Sequence, residues 1–441
     1  MGIQRLQGYL SKYFFEAFQE IREANENVHE KCFKTFPQQA VYLIDVSNLL
    51  NQKLNVQDVE TSCLWEKIAP LLDNIAMRGL STLLGKLKDC DDSEIASSDT
   101  GSLNKIVLFY DTRGDGKSVC QSFQSDLWNR WKEAIHNCGK SKPSSRVILD
   151  RVNALRLFNV SVCKNPGDSA DRMIFLTHQT IRSETRLPVL IVSNDSDMLI
   201  YTLQNMHVRQ SKLTNLCMLP SAYSLFEQRA SAHRSSETTL FRYFHIQLDQ
   251  LERRIPKIYM TSFVCQLLIL LGTSASSGNI SRKRDRAKKD SSLGFQGILT
   301  YHKNDITIYR TLYSSWNFLL KEMQGKKGAP PSENLLVRQT DTAVTINLLV
   351  MKRMLVEIGP SVFQGSDSPK NAENYLRAVA SNLHYYTTGV RWTRLKVDTV
   401  EIPSLVAICS LLKKSSDFTF STATLSSPPM EKVVLMGLSD E

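Results

Sequence analysis

The sequence predicts an α/β protein: a parallel sheet flanked by helices, followed by a mostly helical C-terminal region. Two observations carry this. Over the first 220 or so residues, short apolar β-branched runs alternate with stretches of helical period, the pattern of β-α-β units. Beyond that point helical periodicity dominates.

Taken in order, "RLQGYLSKYFFEAFQEIREA" from Arg5 reads as an amphipathic helix. "AVYLID" (40–45) is a buried-type strand, and a helical stretch follows over 64–88. A polar, Ser-rich acidic loop covers 89–102, then "KIVLFYD" (105–111) is a second strand. Helical pattern returns over 120–137, and "ALRLFNVSV" (154–162) holds a third strand. "NPGDSADRMIFLTHQTI" opens on turn residues and becomes a helix. "VLIV" from Val189 is a fourth strand, Met198–Tyr201 begin a helix, and "NLCML" near 215 is a short fifth strand. "TDTAVTINLLVMKRMLVEI" and "NAENYLRAVASNLHYY" read as helices. The domain reading is a core over 1–220, a helical continuation over 221–272 and a basic Ser-rich loop over 273–292. A helical region over 293–413 and a flexible Ser/Thr-rich tail over 414–441 complete it.

Several of these strands end in aspartate. Asp45 closes the first, Asp111 the second, and Asp195 and Asp197 follow the fourth. The helix after the third strand opens on Asp168 and Asp171, which share a helix face at i, i+3. In a parallel sheet all these strand ends lie on one edge, where open α/β sheets bind ligands. Singly, each is an ordinary turn or N-cap residue: Asp168 follows Pro-Gly, and Asp195 suits the cap of the next helix. Together they place up to six carboxylates at one cleft, an arrangement that cations must neutralise. No His or Cys accompanies them, so the donor set selects a hard ion, Mg²⁺ or Mn²⁺, in one or two copies. Two such ions about 4 Å apart suit phosphodiester hydrolysis.

The chain has 441 residues and a formal net charge of +10, which favours a polyanionic partner through phosphate neutralisation. Nine scattered cysteines without a CxxC pair argue for an intracellular chain with reduced thiols, against a disulfide framework or zinc site. The N-terminus lacks a signal-peptide core, and the longest apolar run, "FVCQLLILLG" from Phe263, is too short to cross a bilayer. The expected protein is soluble, with no membrane partner.

These residues resemble the flap endonuclease/XPG-type 5′ nucleases, which share a PIN-like (Rossmann-like) core and are related to 5′→3′ exoribonucleases. "MGIQRLQGYLSKYF" is similar to the family's N-terminus, "VYLIDVSNLL" and "VLFYDTRGDGKS" to its first two metal-binding strands, and "VSNDSDMLIY" to its strand-Asp-x-Asp motif. The spacing of "GDSADRMIFLTHQTIRSETRLPVLIVSNDSDMLIY" is similar to that of poxvirus flap-endonuclease-like proteins. "NYLRAVASNLHYYTTGVRW" resembles a Tyr-Tyr-x-x-Gly segment of the exoribonuclease branch.

The resemblance implies a Mg²⁺-dependent nuclease acting on branched or 5′-flap DNA in viral replication, recombination or repair. It would work in the nucleus or at a cytoplasmic site of viral DNA synthesis, alongside replication or recombination proteins. Asp45, Asp111, Asp168, Asp195 and Asp197 would hold metal, Asp171 would replace a missing acid, and Lys117 would polarise the scissile phosphate. Gly2 would pack near the site, and Arg113, Lys117, Arg130 and Lys132 would contact nucleic acid. Two departures stand out: Ala170 occupies an acid's place in the third motif, and Gly272-Thr273-Ser274 lacks the acid of the family's Gly-x-Asp. An RNA-cleaving enzyme on the same core, and a lapsed scaffold that binds nucleic acid, remain as alternatives. For Trp128 and Trp131, one face of an amphipathic helix is the simpler reading than base stacking. "SRKRDRAKKD" reads first as a linker, then as a nuclear localisation signal or phosphate-binding loop.

Overall fold

The computed structural model describes residues 3, 5–14, 16, 18–21, 41–46, 48, 105–110, 121, 125, 129, 133, 160–163, 170–181, 187–193, 195–205, 213–220, 241–246, 248–273, 295–299, 304–325, 334–359, 365–389 and 401–421. The expected helix over 64–88, the loop over 89–102, Trp128, Trp131 and the basic loop around 276–292 lie outside them. Among the described residues the chain divides into two compact units. One is drawn from Gln19–Asn194 and Met206–Ile246, the other from Met1–Phe18, Asp195–Asn205 and Gln247–Met430.

The first unit is built on a seven-stranded sheet. Its strands are β1 (Phe18–Ile21), β2 (Val41–Asp45), β3 (Lys105–Phe109), β4 (Val160–Cys163), β5 (Val189–Val192), β6 (Leu213–Pro220) and β7 (Phe241–Ile246). Their order is β1-β7-β6-β5-β2-β3-β4. The five from β6 to β4 pair in parallel, and β7 runs antiparallel to β6. Every residue of β2 and of β5 is buried, as continuous Val/Ile/Leu runs require in a sheet covered on both faces. Helix α2 (Ala170–Ile181) packs on β2 and β3 through a face that includes Met173, Ile174 and Phe175. In register, Asp45 stands opposite Phe109, and Ile44 opposite Val192. The expected α/β class with a parallel sheet is therefore observed.

The second unit holds α1 (Leu6–Tyr13), α3 (Ser196–Asn205), α4 (Leu248–Arg254), α5 (Met260–Leu271), α6 (Asp305–Gln324), α7 (Leu348–Ile358), α8 (Pro369–Thr388) and α9 (Leu405–Leu412). Helix α5, the apolar run noted in the sequence, is buried at nearly every position. It packs against α3, α6 and α8. Each buried Leu, Ile or Phe there contributes about 1.5–3 kcal/mol. Phe263 meets Trp316 of α6 edge-on at 4.8 Å, and the Tyr375 hydroxyl of α8 donates to the Ile269 carbonyl at 2.6 Å. Helix α1 adds Phe14 against Phe263, Tyr13 stacked on Tyr313 at 4.5 Å, and an Arg5–Asp305 ion pair. Asn304, Asn347, Ser368 and Ser404 cap α6, α7, α8 and α9 with their side chains. No helix among the described residues is long and apolar enough to cross a membrane.

Several expectations are corrected. Phe18–Ile21 forms strand β1, not the end of a helix, because pairing in the sheet overrides helical propensity. The continuation after 220 includes strand β7, whose Phe/Tyr-rich "FRYFHI" suits a pleated surface. The C-terminal region contains an antiparallel sheet of β10 (Val337–Gln339), β11 (Ala343–Asn347) and β12 (Asp417–Ser421), in that order. The stretch expected to be one helix from Thr340 thus splits at Asn347. Val344 and Ile346 alternate inward with period two before α7 begins. Likewise 417–421, expected in a flexible tail, is a strand paired to β11.

A two-stranded clasp, β8 (Gly272–Thr273) and β9 (Phe295–Gln296), closes against the end of α5. Gly272 has φ 68 and ψ −168, a conformation open essentially to glycine alone. A Cβ there would lie 2.3 Å from the backbone of Gly297 and Phe295. Gly272→Ala is expected to lower unfolding free energy by about 3 kcal/mol or more, read from urea transitions.

Buried titratable groups set the pH range of this unit. Burial raises the phenols of Tyr9, Tyr309 (to about 12) and Tyr375 above their ordinary value of 10.0. Burial also lowers the imidazole of His384 from 6.5. Above pH 10 the unfolded tyrosines lose protons that the folded ones keep, so stability falls as pH rises. Below pH 6.5 the unfolded histidine gains a proton that the folded one refuses, so stability falls as pH drops. A plateau between about pH 6.5 and 10 is expected in denaturation midpoints measured across pH.

Candidate functional site

The site begins at the carboxyl ends of β2 and β5, neighbours in the parallel sheet. Asp45, the last residue of β2, is 1% exposed. One of its carboxylate oxygens accepts from the Asn48 backbone N–H at 2.9 Å, the other from the Ser193 hydroxyl at 3.1 Å. A buried carboxylate is costly unless hydrogen bonds or a cation stabilise it. Here the residue just past the end of β5 supplies one of those bonds.

Two residues beyond Ser193 in the sequence comes Asp195, where the other compact unit takes up the chain. Asp195 caps α3. Its side chain accepts from the Asp197 N–H at 2.9 Å, and its carbonyl accepts from the N–H groups of Met198 and Leu199. The capping expected for Asp195 is thus observed. Asp197, in the first turn of α3, is 1% exposed, and its Oδ1 accepts from the Tyr386 hydroxyl of α8 at 2.5 Å. Burial, then the charge of Asp197, raises the Tyr386 phenol well above its ordinary range, so it remains a proton donor. At the far end of the helix, the Asn205 side-chain amide donates to the Tyr386 carbonyl at 2.8 Å and to Tyr201 at 2.9 Å.

Carboxylate oxygens of Asp195 and Asp197 come within 4.8 Å of each other, close enough to share one divalent ion. Both stand at a helix N-terminus, where the backbone dipole favours negative charge. Asp171 occupies the corresponding place on α2, half-buried in its first turn, beside a buried Ala170 with no carboxylate. All these donors are carboxylate oxygens, which fits Mg²⁺ or Mn²⁺ and not zinc.

Gly2, Asp111, Arg113, Lys117, Arg130, Lys132 and Asp168 lie outside the described residues. Two polar residues that bond to these carboxylates escaped the sequence reading: Ser193 and Tyr386. Ser193 could have been flagged by its place between a buried strand and two acids. Tyr386 sits in the Tyr-Tyr-x-x-Gly segment quoted above, but nothing local in the sequence ties it to Asp197. No protein-family model matches the chain, and no curated protein matches it.

Asp195→Ala removes the cap and is expected to cost about 1 kcal/mol in urea unfolding, whereas Asp195→Ser should restore most of that stability.

Proposed function

We propose that the chain is a divalent-metal-dependent nuclease on a PIN-like core, a structure-specific 5′ endonuclease or exonuclease that cleaves branched or flapped DNA. The observation that carries this reading is the pair Asp195 and Asp197, whose carboxylate oxygens lie within 4.8 Å of each other at the N-terminus of α3. A soluble protein with a net charge of +10 fits a polyanionic substrate. Viral replication, recombination or repair is the context that the resemblance implies.

Asp195 and Asp197 would hold a Mg²⁺ or Mn²⁺ ion, and the resemblance adds Asp45, Asp111, Asp168 and Asp171 as ligands of one or two such ions. Such an ion supplies Lewis-acid polarisation of the phosphodiester and a lowered pKa for water. The chain's own residues do the rest. Asp45 and Asp197 keep their orientation through Ser193, Asn48 and Tyr386, while Lys117 would neutralise the scissile phosphate.

A second reading, a lapsed scaffold that binds nucleic acid, draws on three observations. Asp195 is engaged in capping, Ala170 is buried without a carboxylate, and Gly272-Thr273 is zipped to Phe295 and Gln296 with no acid present.

Cleavage of a labelled 5′-flap DNA with Mg²⁺ or Mn²⁺, against the same reaction in EDTA, tests the choice. Metal-dependent product is expected from the wild type, falling by at least about 100-fold in Asp45→Asn and Asp195→Asn. Equal background in all three leaves only the scaffold. Faster cutting of a single-stranded RNA of equal length would move the substrate class to RNA.

A further inference from the structure

The geometry points to Tyr386 as the positioning residue that fixes the carboxylate of Asp197 for cation binding, so that helix α8 holds a ligand carried by the first turn of α3. This rests on the metal site proposed above.

The hydroxyl reaches Asp197 at 2.5 Å across 189 residues of chain. Both residues are 1% exposed, so water does not compete for the bond. An aspartate turns about only two side-chain torsions, and holding Oδ1 fixes the plane in which the second oxygen lies. The tyrosine is itself held. Its ring packs against Tyr385 at 5.4 Å, and its helix is anchored through Tyr375 to the Ile269 carbonyl.

The choice of donor also matters. A lysine or arginine would orient the carboxylate equally well but would neutralise it. A phenol donates a hydrogen bond and leaves the full negative charge for a cation. Partners that orient ligands in this way typically change metal affinity by 10–100-fold when lost. A purely structural role would look different: the bond would only stitch α8 to α3, a task Asn205 shares from the other end of α3.

The test is Mn²⁺ titration of the full chain, followed by the loss of the free-ion paramagnetic signal, together with metal-free thermal unfolding. Tyr386→Phe is expected to weaken Mn²⁺ binding about 10–100-fold. Asn205→Ala, which removes the stitch but keeps the hydroxyl, should lower the melting temperature with affinity within about threefold. In an Asp197→Asn background, Tyr386→Phe should add less than about a twofold loss, because the two act as one unit. Unchanged affinity in Tyr386→Phe, or fully additive losses in the double variant, overturns the role given to Tyr386. Absence of Mn²⁺ binding by the wild type overturns the cation site itself, and so separates the two failures.

Discussion

Parallel pairing is the constraint on which the rest depends. Five strands that run the same way must all leave the sheet at one edge, and each must then turn into a covering segment. The turns therefore collect whatever polar residues the chain needs to end a strand and begin a helix. At the outlets of β2 and β5 those residues include the acids Asp45 and Asp195. Asp45 is taken out of water at that edge, and the structure tolerates it because Ser193 and Asn48 satisfy both oxygens. Asp195 ends the connection from β5 and caps the helix that follows. The Asp195 carboxylate thus answers a folding requirement while keeping its negative charge beside that of Asp197.

The helical unit follows a different logic. Its centre is α5, so apolar that it is buried on almost all sides, and its few polar groups are handled individually. The Gln266 amide donates to the Leu312 carbonyl and the Ser315 hydroxyl, and Tyr375 spends its hydroxyl on an α5 carbonyl. Against this background the Tyr386–Asp197 bond is unusual in bringing a full charge into the interior, where the pair is worth more than on the surface and costs more if broken.

What could be read from the sequence divides along physical lines. Strands β2, β3 and β5 were legible because burial on both faces writes them as unbroken apolar runs, and Asp45 at the end of β2 and Asp195 after β5 stand out against those runs. Gln121, Ser125, Asn129 and Glu133, all helical and exposed, lie on the polar face of the helix expected there. Strands β1, β7 and β10–β12 were not legible. They are short, and their identity depends on partners distant in sequence, such as Asp417 opposite Asn347. Asn347 shows the difficulty well: it ends a strand and caps a helix at once, so a window centred on it averages two periods into one. Tyr386 was hidden for a related reason. Its contribution is a contact across 189 residues, and a buried tyrosine late in a helix ordinarily signals nothing but core.

The clasp between Gly272 and Phe295 bears on how this chain can change. Thr273 pairs directly with Phe295, so the 21 intervening residues begin and end at neighbouring points. Bringing two points of a chain together costs entropy only as the logarithm of the length between them, about 0.6 kcal/mol for each doubling. The glycine lock at Gly272, where a Cβ would meet the backbone of Gly297 and Phe295, therefore holds the end of α5 whatever length or charge of sequence evolution places between the two strands.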